Sequence, residues 1–128
     1  MSTNTALDQL FVKTRAENRA ALIAYIPAGF PSQAGCHKVI ETLAKAGVDA
    51  IEIGYPYSDP VMDGPTIQAA ATQALENGTG VTEVFAALKH ATDQGVAAVV
   101  MTYWNPIEKY GVAKFAQAIA DNGGSGVI

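Results

Sequence analysis

Two acidic residues stand where a carboxylate is costly or conspicuous, and together they could move a proton. Glu52 lies inside the apolar run Ala50-Ile51-Glu52-Ile53-Gly54. Strand alternation turns it away from Ile51 and Ile53. A carboxylate in such a run is expensive unless it is paired, hydrated or functional. Burial raises a carboxyl pKa because the charged form loses its solvation. A group shifted in this way can give and take a proton near neutral pH. The structural reading, an ion pair with a buried Lys or Arg, fits the same pattern, and both stay open. Asp63 follows eleven positions later, in Met62-Asp63-Gly64-Pro65. By itself, an Asp before Gly-Pro reads as a turn residue or a helix N-cap, and Asp59 in Ser58-Asp59-Pro60 reads the same way. A strand end and its following loop can nonetheless bring two carboxylates to one cleft. Tyr25, Met101 and Tyr103, on neighbouring strands, could wall that cleft, although ordinary core packing is the plainer reading of all three.

Other chemistry is thin. His37 and His90 fall on helical stretches among polar neighbours, which predicts solvated faces. No His/Cys/carboxylate spacing suits a metal. Cys36 is the only cysteine, so it has no internal disulfide partner and reads as a small apolar side chain on a helix. Neither a Gly-x-Ser-x-Gly nucleophile turn nor a phosphate-cradling glycine loop occurs.

The elements that must position these groups alternate. Ala21–Ala28 is a short continuous apolar run, as expected of a strand covered on both faces. Ser32 can cap a following helix in which Val39, Ile40, Leu43 and Ala46 recur at helical spacing, and Gly47 ends it. Asp49–Gly54 is a second strand. Tyr55–Pro65 is a loop with three prolines, which lack an N–H and restrict the residue before them. Pro65 suits the first turn of a helix over Thr66–Glu76, closed by Asn77-Gly78. Thr82–Asp93 is a further helix, with Val84, Phe85, Leu88 and Ala91 inward and Gly95 at its end. Val96–Tyr103 is a third strand that stops at Trp104-Asn105-Pro106. Val112–Asp121 is a helix with Phe115 and Ile119 inward, and Gly126-Val127-Ile128 starts a fourth strand.

Strands alternating with helices imply a parallel sheet in an α/β protein. The polar, irregular stretches all follow strands, as in a (β/α)8 TIM barrel, whose functional groups sit at the C-terminal ends of the strands. An open dinucleotide-binding sheet is the weaker alternative, because no Gly-x-Gly-x-x-Gly follows a strand. A barrel takes about 250 residues. The 128 residues of this chain therefore supply a single domain, residues 1–128, covering the first three to four β/α units. Bulk properties narrow the class further. The net charge is −4 and 49% of residues are hydrophobic, with no Lys/Arg cluster to favour nucleic acid or an anionic membrane. Met1 to Arg19 lacks a secretory pattern and no apolar run nears membrane-spanning length, which points to a cytoplasmic protein.

The stretch Tyr55-Pro56-Tyr57-Ser58-Asp59-Pro60-Val61-Met62-Asp63-Gly64-Pro65-Thr66-Ile67-Gln68, preceded by Glu52-Ile53-Gly54, resembles the signature of tryptophan synthase α subunits. That signature has the form E-[LI]-G-x-P-[FY]-S-D-P-x-A-D-G-P-x-I-Q. Tyr25-Ile26-Pro27-Ala28-Gly29 resembles the end of the family's first strand, and Met101-Thr102-Tyr103-Trp104-Asn105-Pro106 the end of its third. The likeness runs over essentially the whole chain but only the first half of the family's length. Met62 departs from it, standing where the family usually has alanine.

The resemblance implies a TIM barrel that cleaves indole-3-glycerol phosphate to indole and glyceraldehyde 3-phosphate, without a metal or organic cofactor. It carries over Glu52 as the proton shuttle and Asp63 as acceptor for the indole N–H, with Tyr25, Met101 and Tyr103 bordering the indole. Pro56, Asp59, Pro60, Asn105 and Pro106 match the face toward the β subunit, the partner in an α2β2 heterotetramer that carries its own pyridoxal phosphate. The family's lid and phosphate loops belong to its second half, so this stretch alone is expected to be inactive. The competing reading is a non-catalytic half-barrel that only binds the β subunit.

Overall fold

The computed structural model describes residues 4–128. Helix α1 (Ala6–Ala16) opens the chain, followed by β1 (Ile23–Pro27), α2 (Gln33–Ala46), β2 (Ala50–Gly54), α3 (Pro65–Glu76), α4 (Val81–Asp93), β3 (Ala97–Met101), α5 (Trp104–Tyr110) and α6 (Val112–Asp121). The strands form one parallel sheet in the order β1-β2-β3. The expected fourth strand is present as a parallel bridge, Val100 to Val127. It is held by Val100 N–H to Gly126 O (3.1 Å), Ile128 N–H to Val100 O (2.9 Å) and Thr102 N–H to Ile128 O (3.0 Å).

The two faces of the sheet differ, and that difference places Glu52. Ala24, Ile26, Ile51, Ile53, Ala98 and Val100 pack outward against Cys36 and Ile40 of α2, Val84 and Leu88 of α4, and Phe115 and Ile119 of α6. The other face carries Tyr25, Glu52 and Val99 in register across the three strands. Toward the N-terminal ends of the strands this inward face is floored by α1, whose Leu10 packs on Ala50 and Ala97. The two alanines leave room for that helix. Cys36 is fully buried in the outer layer, as its apolar reading requires.

Helix ends follow local chemistry. Ser32 caps α2 by accepting from Gly35 N–H, and Gly47 ends it with φ +91°, a left-handed conformation that glycine adopts without steric cost. Two helices were not foreseen. Helix α1 is closed by a capping box, in which Thr5 Oγ1 accepts from Asp8 N–H and Thr5 N–H donates to the Asp8 carboxylate. Met1–Thr3 of the segment read for a leader lie outside the described residues. Helix α5 begins at Trp104, where Asn105-Pro106 had read as a stop. Pro106 sits in the first turn, where its missing N–H has no intrahelical acceptor to lose. Accordingly β3 ends at Met101, and Tyr103 is the N-cap of α5 rather than a strand residue.

His37 and His90 also differ from expectation. Instead of facing solvent separately, their rings stack with centroids 4.4 Å apart across α2 and α4, and His90 Nε2 lies 3.1 Å from Glu41. At the opposite end of the strands Arg19 makes a two-pronged pair with Asp49 at 2.8 and 2.9 Å, and Asp49 also accepts from Leu22 N–H. That pairing ties the start of β1 to the start of β2 and holds the Asp49 carboxyl down at about 2. No described helix is long and apolar enough to cross a membrane.

Candidate active site at the strand C-terminal ends

Tyr25, Met62, Asp63, Met101 and Tyr103 line one cavity of about 380 Å³ at the C-terminal ends of the strands. They come from three parts of the chain: Tyr25 from β1, Met62 and Asp63 from the long loop after β2, and Met101 and Tyr103 from the end of β3 and the N-cap of α5. Tyr55, Thr102, Trp104 and Ile128 complete the wall. All four lie within stretches already singled out, Tyr55 at the head of the signature, Thr102 and Trp104 after the third strand and Ile128 in the fourth, although none was named as a site residue.

Glu52 is turned away from Ile51 and Ile53, as strand alternation predicts, which puts it on the inward face, and it is partly exposed. It is not one of the cavity's lining residues; Tyr25, its register neighbour on β1, is. No ion pair among the described residues includes Glu52, so the buried Lys or Arg of the structural reading is absent there. Among the described residues no buried side-chain oxygen lacks a hydrogen-bond partner. The Glu52 and Asp63 carboxylates, which have none, therefore reach solvent. Tyr25 registers both charges. Burial first, then the negative charges of Asp63, Glu52 and Tyr103, push its hydroxyl up to about 12. The Tyr25 phenol is therefore neutral at neutral pH and keeps an O–H to donate.

Gly54 explains how Tyr25 fits there. The ring lies over the end of β2, where a Cβ on Gly54 would fall 2.6 Å from Tyr25 Cζ and 2.9 Å from Cε2. The glycine after Glu52-Ile53 thus makes space for the aromatic wall.

The loop 55–64 is held by named contacts. Tyr103 Oη accepts from Met62 N–H at 3.1 Å, and Gln68 Nε2 donates to Asp63 O at 2.8 Å and Pro60 O at 3.3 Å. Tyr57 stacks on Tyr103 at 5.0 Å, and Asn105 Nδ2 donates to Tyr57 Oη at 2.7 Å. This last bond joins the two stretches expected to form a partner face, residues 56–60 and 105–106. Asp59 and Asn105 are exposed, Pro60 and Pro106 are half-buried, and Pro56 is buried within this chain and offers little surface to a partner. Among the described residues no group of three or more His, Cys, Asp or Glu is arranged to hold a metal.

A parallel β/α sheet that gathers acidic and aromatic residues at its strand C-terminal ends is the opening part of a (β/α)8 barrel, the class whose chemistry sits on those loops. Comparison with known proteins narrows the class. Residues 11–128 match the family model described as tryptophan synthase alpha chain. The tryptophan synthase alpha chain of Nocardia farcinica is 51% identical over 128 residues, which are 100% of this chain and 48% of that one. That of Thermobifida fusca is 52% identical over 124 residues, 97% of this chain and 46% of that one. A crystal structure of tryptophan synthase from M. tuberculosis superposes with a TM-score of 0.93 at 46% identity, covering 96% of this chain and 49% of that one. The chain belongs to the tryptophan synthase alpha chain family, and it spans about half the length of the curated relatives it matches.

Proposed function

We propose that this chain supplies the acid–base half of an indole-3-glycerol-phosphate lyase site. The observation that carries the reading is the inward Glu52, in no ion pair among the described residues, paired in register with Tyr25, which lines with Asp63 a mainly apolar cavity of about 380 Å³. Breaking the bond between indole C3 and the glycerol chain leaves its electron pair on the ring. Protonation at C3 makes the ring able to accept that pair. Glu52 gives the proton to C3 and recovers one from the hydroxyl on the adjacent side-chain carbon, which becomes the aldehyde of glyceraldehyde 3-phosphate. Asp63 accepts the indole N–H and so stabilises positive charge as it develops on the ring. Tyr25, Met101 and Tyr103 border the ring, and their apolar surface strengthens the electrostatics inside.

The reaction so drawn needs no metal or organic cofactor. Pyridoxal phosphate would belong to a β subunit docked on Asp59, Pro60, Asn105 and Pro106, with Pro56 behind them, in an α2β2 assembly in the cytoplasm. Among the described residues no Lys, Arg or His lines the cavity to meet the substrate phosphate. We place the phosphate's cationic partner, and the lid that excludes water, outside these 128 residues, and expect no useful turnover from them alone.

The test is a chimera in which residues 1–128 replace the matching half of the Nocardia farcinica protein. Indole release from indole-3-glycerol phosphate is expected. Glu52→Gln should lower kcat by roughly 10²–10⁴. Indole release unchanged by that substitution excludes Glu52 as the shuttle. A chimera that folds and binds a β subunit but releases no indole favours the binding module instead.

A further inference from the structure

Asp63 has an unusual support. Its carboxylate has no hydrogen-bond partner among the described residues, so nothing grips the functional group directly. The backbone on either side of it is gripped instead. Tyr103 Oη accepts the Met62 N–H at 3.1 Å on one side, and Gln68 Nε2 donates to Asp63 O at 2.8 Å on the other. Gln68 reaches back from the first turns of α3 and also holds Pro60 O, which accepts Asp63 N–H at 3.1 Å. The backbone around Asp63 is thereby anchored to two different elements, the Asp63–Gly64 peptide to α3 and the Val61–Met62 peptide to the N-cap of α5. Neither bond is needed for a helix ladder. Gln68 has its own backbone bond to Gly64 O, and Tyr103 caps α5 without its side chain. Met62 and its neighbour Val61 are otherwise far out in solvent, 87% and 83% exposed. A loop tip so exposed is mobile unless tied.

We infer that Tyr103 and Gln68 are positioning residues that clamp the backbone around Asp63 and so aim its free carboxylate at the ring N–H of an indole in the cavity. The inference rests on the proposed reading of the cavity, but the clamp itself is measurable without it. It gives the Tyr103 hydroxyl a role separate from its ring, and gives the last residue of the signature a reason to carry an amide. A carboxylate left unbonded by its own protein stays available to the ligand, and fixing it through its backbone costs none of that capacity.

The experiment uses the chimeric barrel, with the native residues 1–128 and with Tyr103→Phe or Gln68→Leu. Amide exchange and 15N relaxation are followed at Met62 and Asp63, with β2 amides as the folding reference. Tyr103→Phe should raise Met62 exchange roughly tenfold and Gln68→Leu should loosen Asp63, both with β2 unchanged. Binding of indole and of 1-methylindole, which lacks the N–H, is then titrated by NMR. Wild type should prefer indole by roughly tenfold, and each variant should bring that ratio toward one; Gln68→Leu, whose side chain is not in the cavity wall, should do so while keeping its affinity for 1-methylindole. A purely structural role would weaken both ligands together and leave the ratio intact. Unchanged exchange in both variants overturns the clamp. Loosened amides with an unchanged ratio overturn its aiming role. If the wild type shows no preference for indole, the reading of Asp63 as the N–H acceptor fails, while exchange still decides whether the clamp exists.

Discussion

Gly54→Ala tests how the aromatic wall is built. Gly54 is a strand residue whose φ lies outside the left-handed region, so an alanine can take its backbone, and any cost is steric. The new Cβ would lie 2.6 and 2.9 Å from two Tyr25 ring carbons, and nearer still to the hydroxyl, well inside the roughly 3.5–4.0 Å of a favourable contact. Overpacking of this kind costs about 1–3 kcal/mol. Tyr25 is only half-buried and borders a cavity of about 380 Å³, so its ring can swing into the cleft. The cost should therefore fall near the lower end, about 1 kcal/mol, or a drop in Tm of about 4 °C for a chain of this size. The displaced ring gives up part of its burial, the largest cause of its raised pKa. Its hydroxyl, held at about 12 in the native site, should titrate nearer its ordinary 10. A tyrosinate absorbance titration and a thermal melt read both effects. In a Tyr25→Phe background, Gly54→Ala should cost measurably less, because the closest clash is gone. If Tyr25 still titrates near 12 and the melt is unmoved, the ring does not lie over Gly54 and this account of the wall is wrong.

Acid should loosen the base of the sheet. Asp49 is lowered from 3.8 to about 2 by its hydrogen bonds to Arg19 and Leu22, so its contribution is complete above about pH 4 and is lost as pH falls toward 2. Arg19→Met should flatten that part of the stability–pH curve, and an unchanged curve would discount the pair. The stacked histidines make a second, milder slope. His37 is lowered from its usual 6.5, first by burial and then by the charge of His90, with Glu41 pulling the other way. Its neutral form therefore favours the folded state above pH 6.5, and stability should decline as pH falls below that. His37→Asn should reduce this slope in chemical denaturation between pH 7 and 5, and retention of the full slope would assign it to other groups.

The order of strands and helices was legible because each continuous apolar run was short and was followed by helical spacing with a capping residue. Ser32 and Gly47 mark both ends of α2 in the sequence and in three dimensions. Period two alone turned Glu52 away from Ile51 and Ile53, but which face that is depended on the packing of those two residues in the outer core. What escaped depended on contacts between distant segments. The stacking of His37 on His90 needs α2 and α4 side by side, which no local pattern states. Tyr103 read as the end of a strand because its apolar neighbours continue the run, yet its backbone turns to cap α5. The Asn105-Pro106 pair read as a stop because proline breaks a helix interior, although it is tolerated in a first turn. Helix α1 did carry a readable signal in Thr5 and Asp8.

Hydrogen–deuterium exchange at indole C3 tests the central claim most directly, since it isolates the proton step from phosphate binding and from bond cleavage. The chimeric barrel is incubated with free indole in D2O and loss of the C3 proton signal is followed by NMR. The account predicts exchange well above the protein-free rate, falling by roughly 10²–10⁴ in Glu52→Gln. Exchange that is equally fast without the Glu52 carboxylate would contradict it.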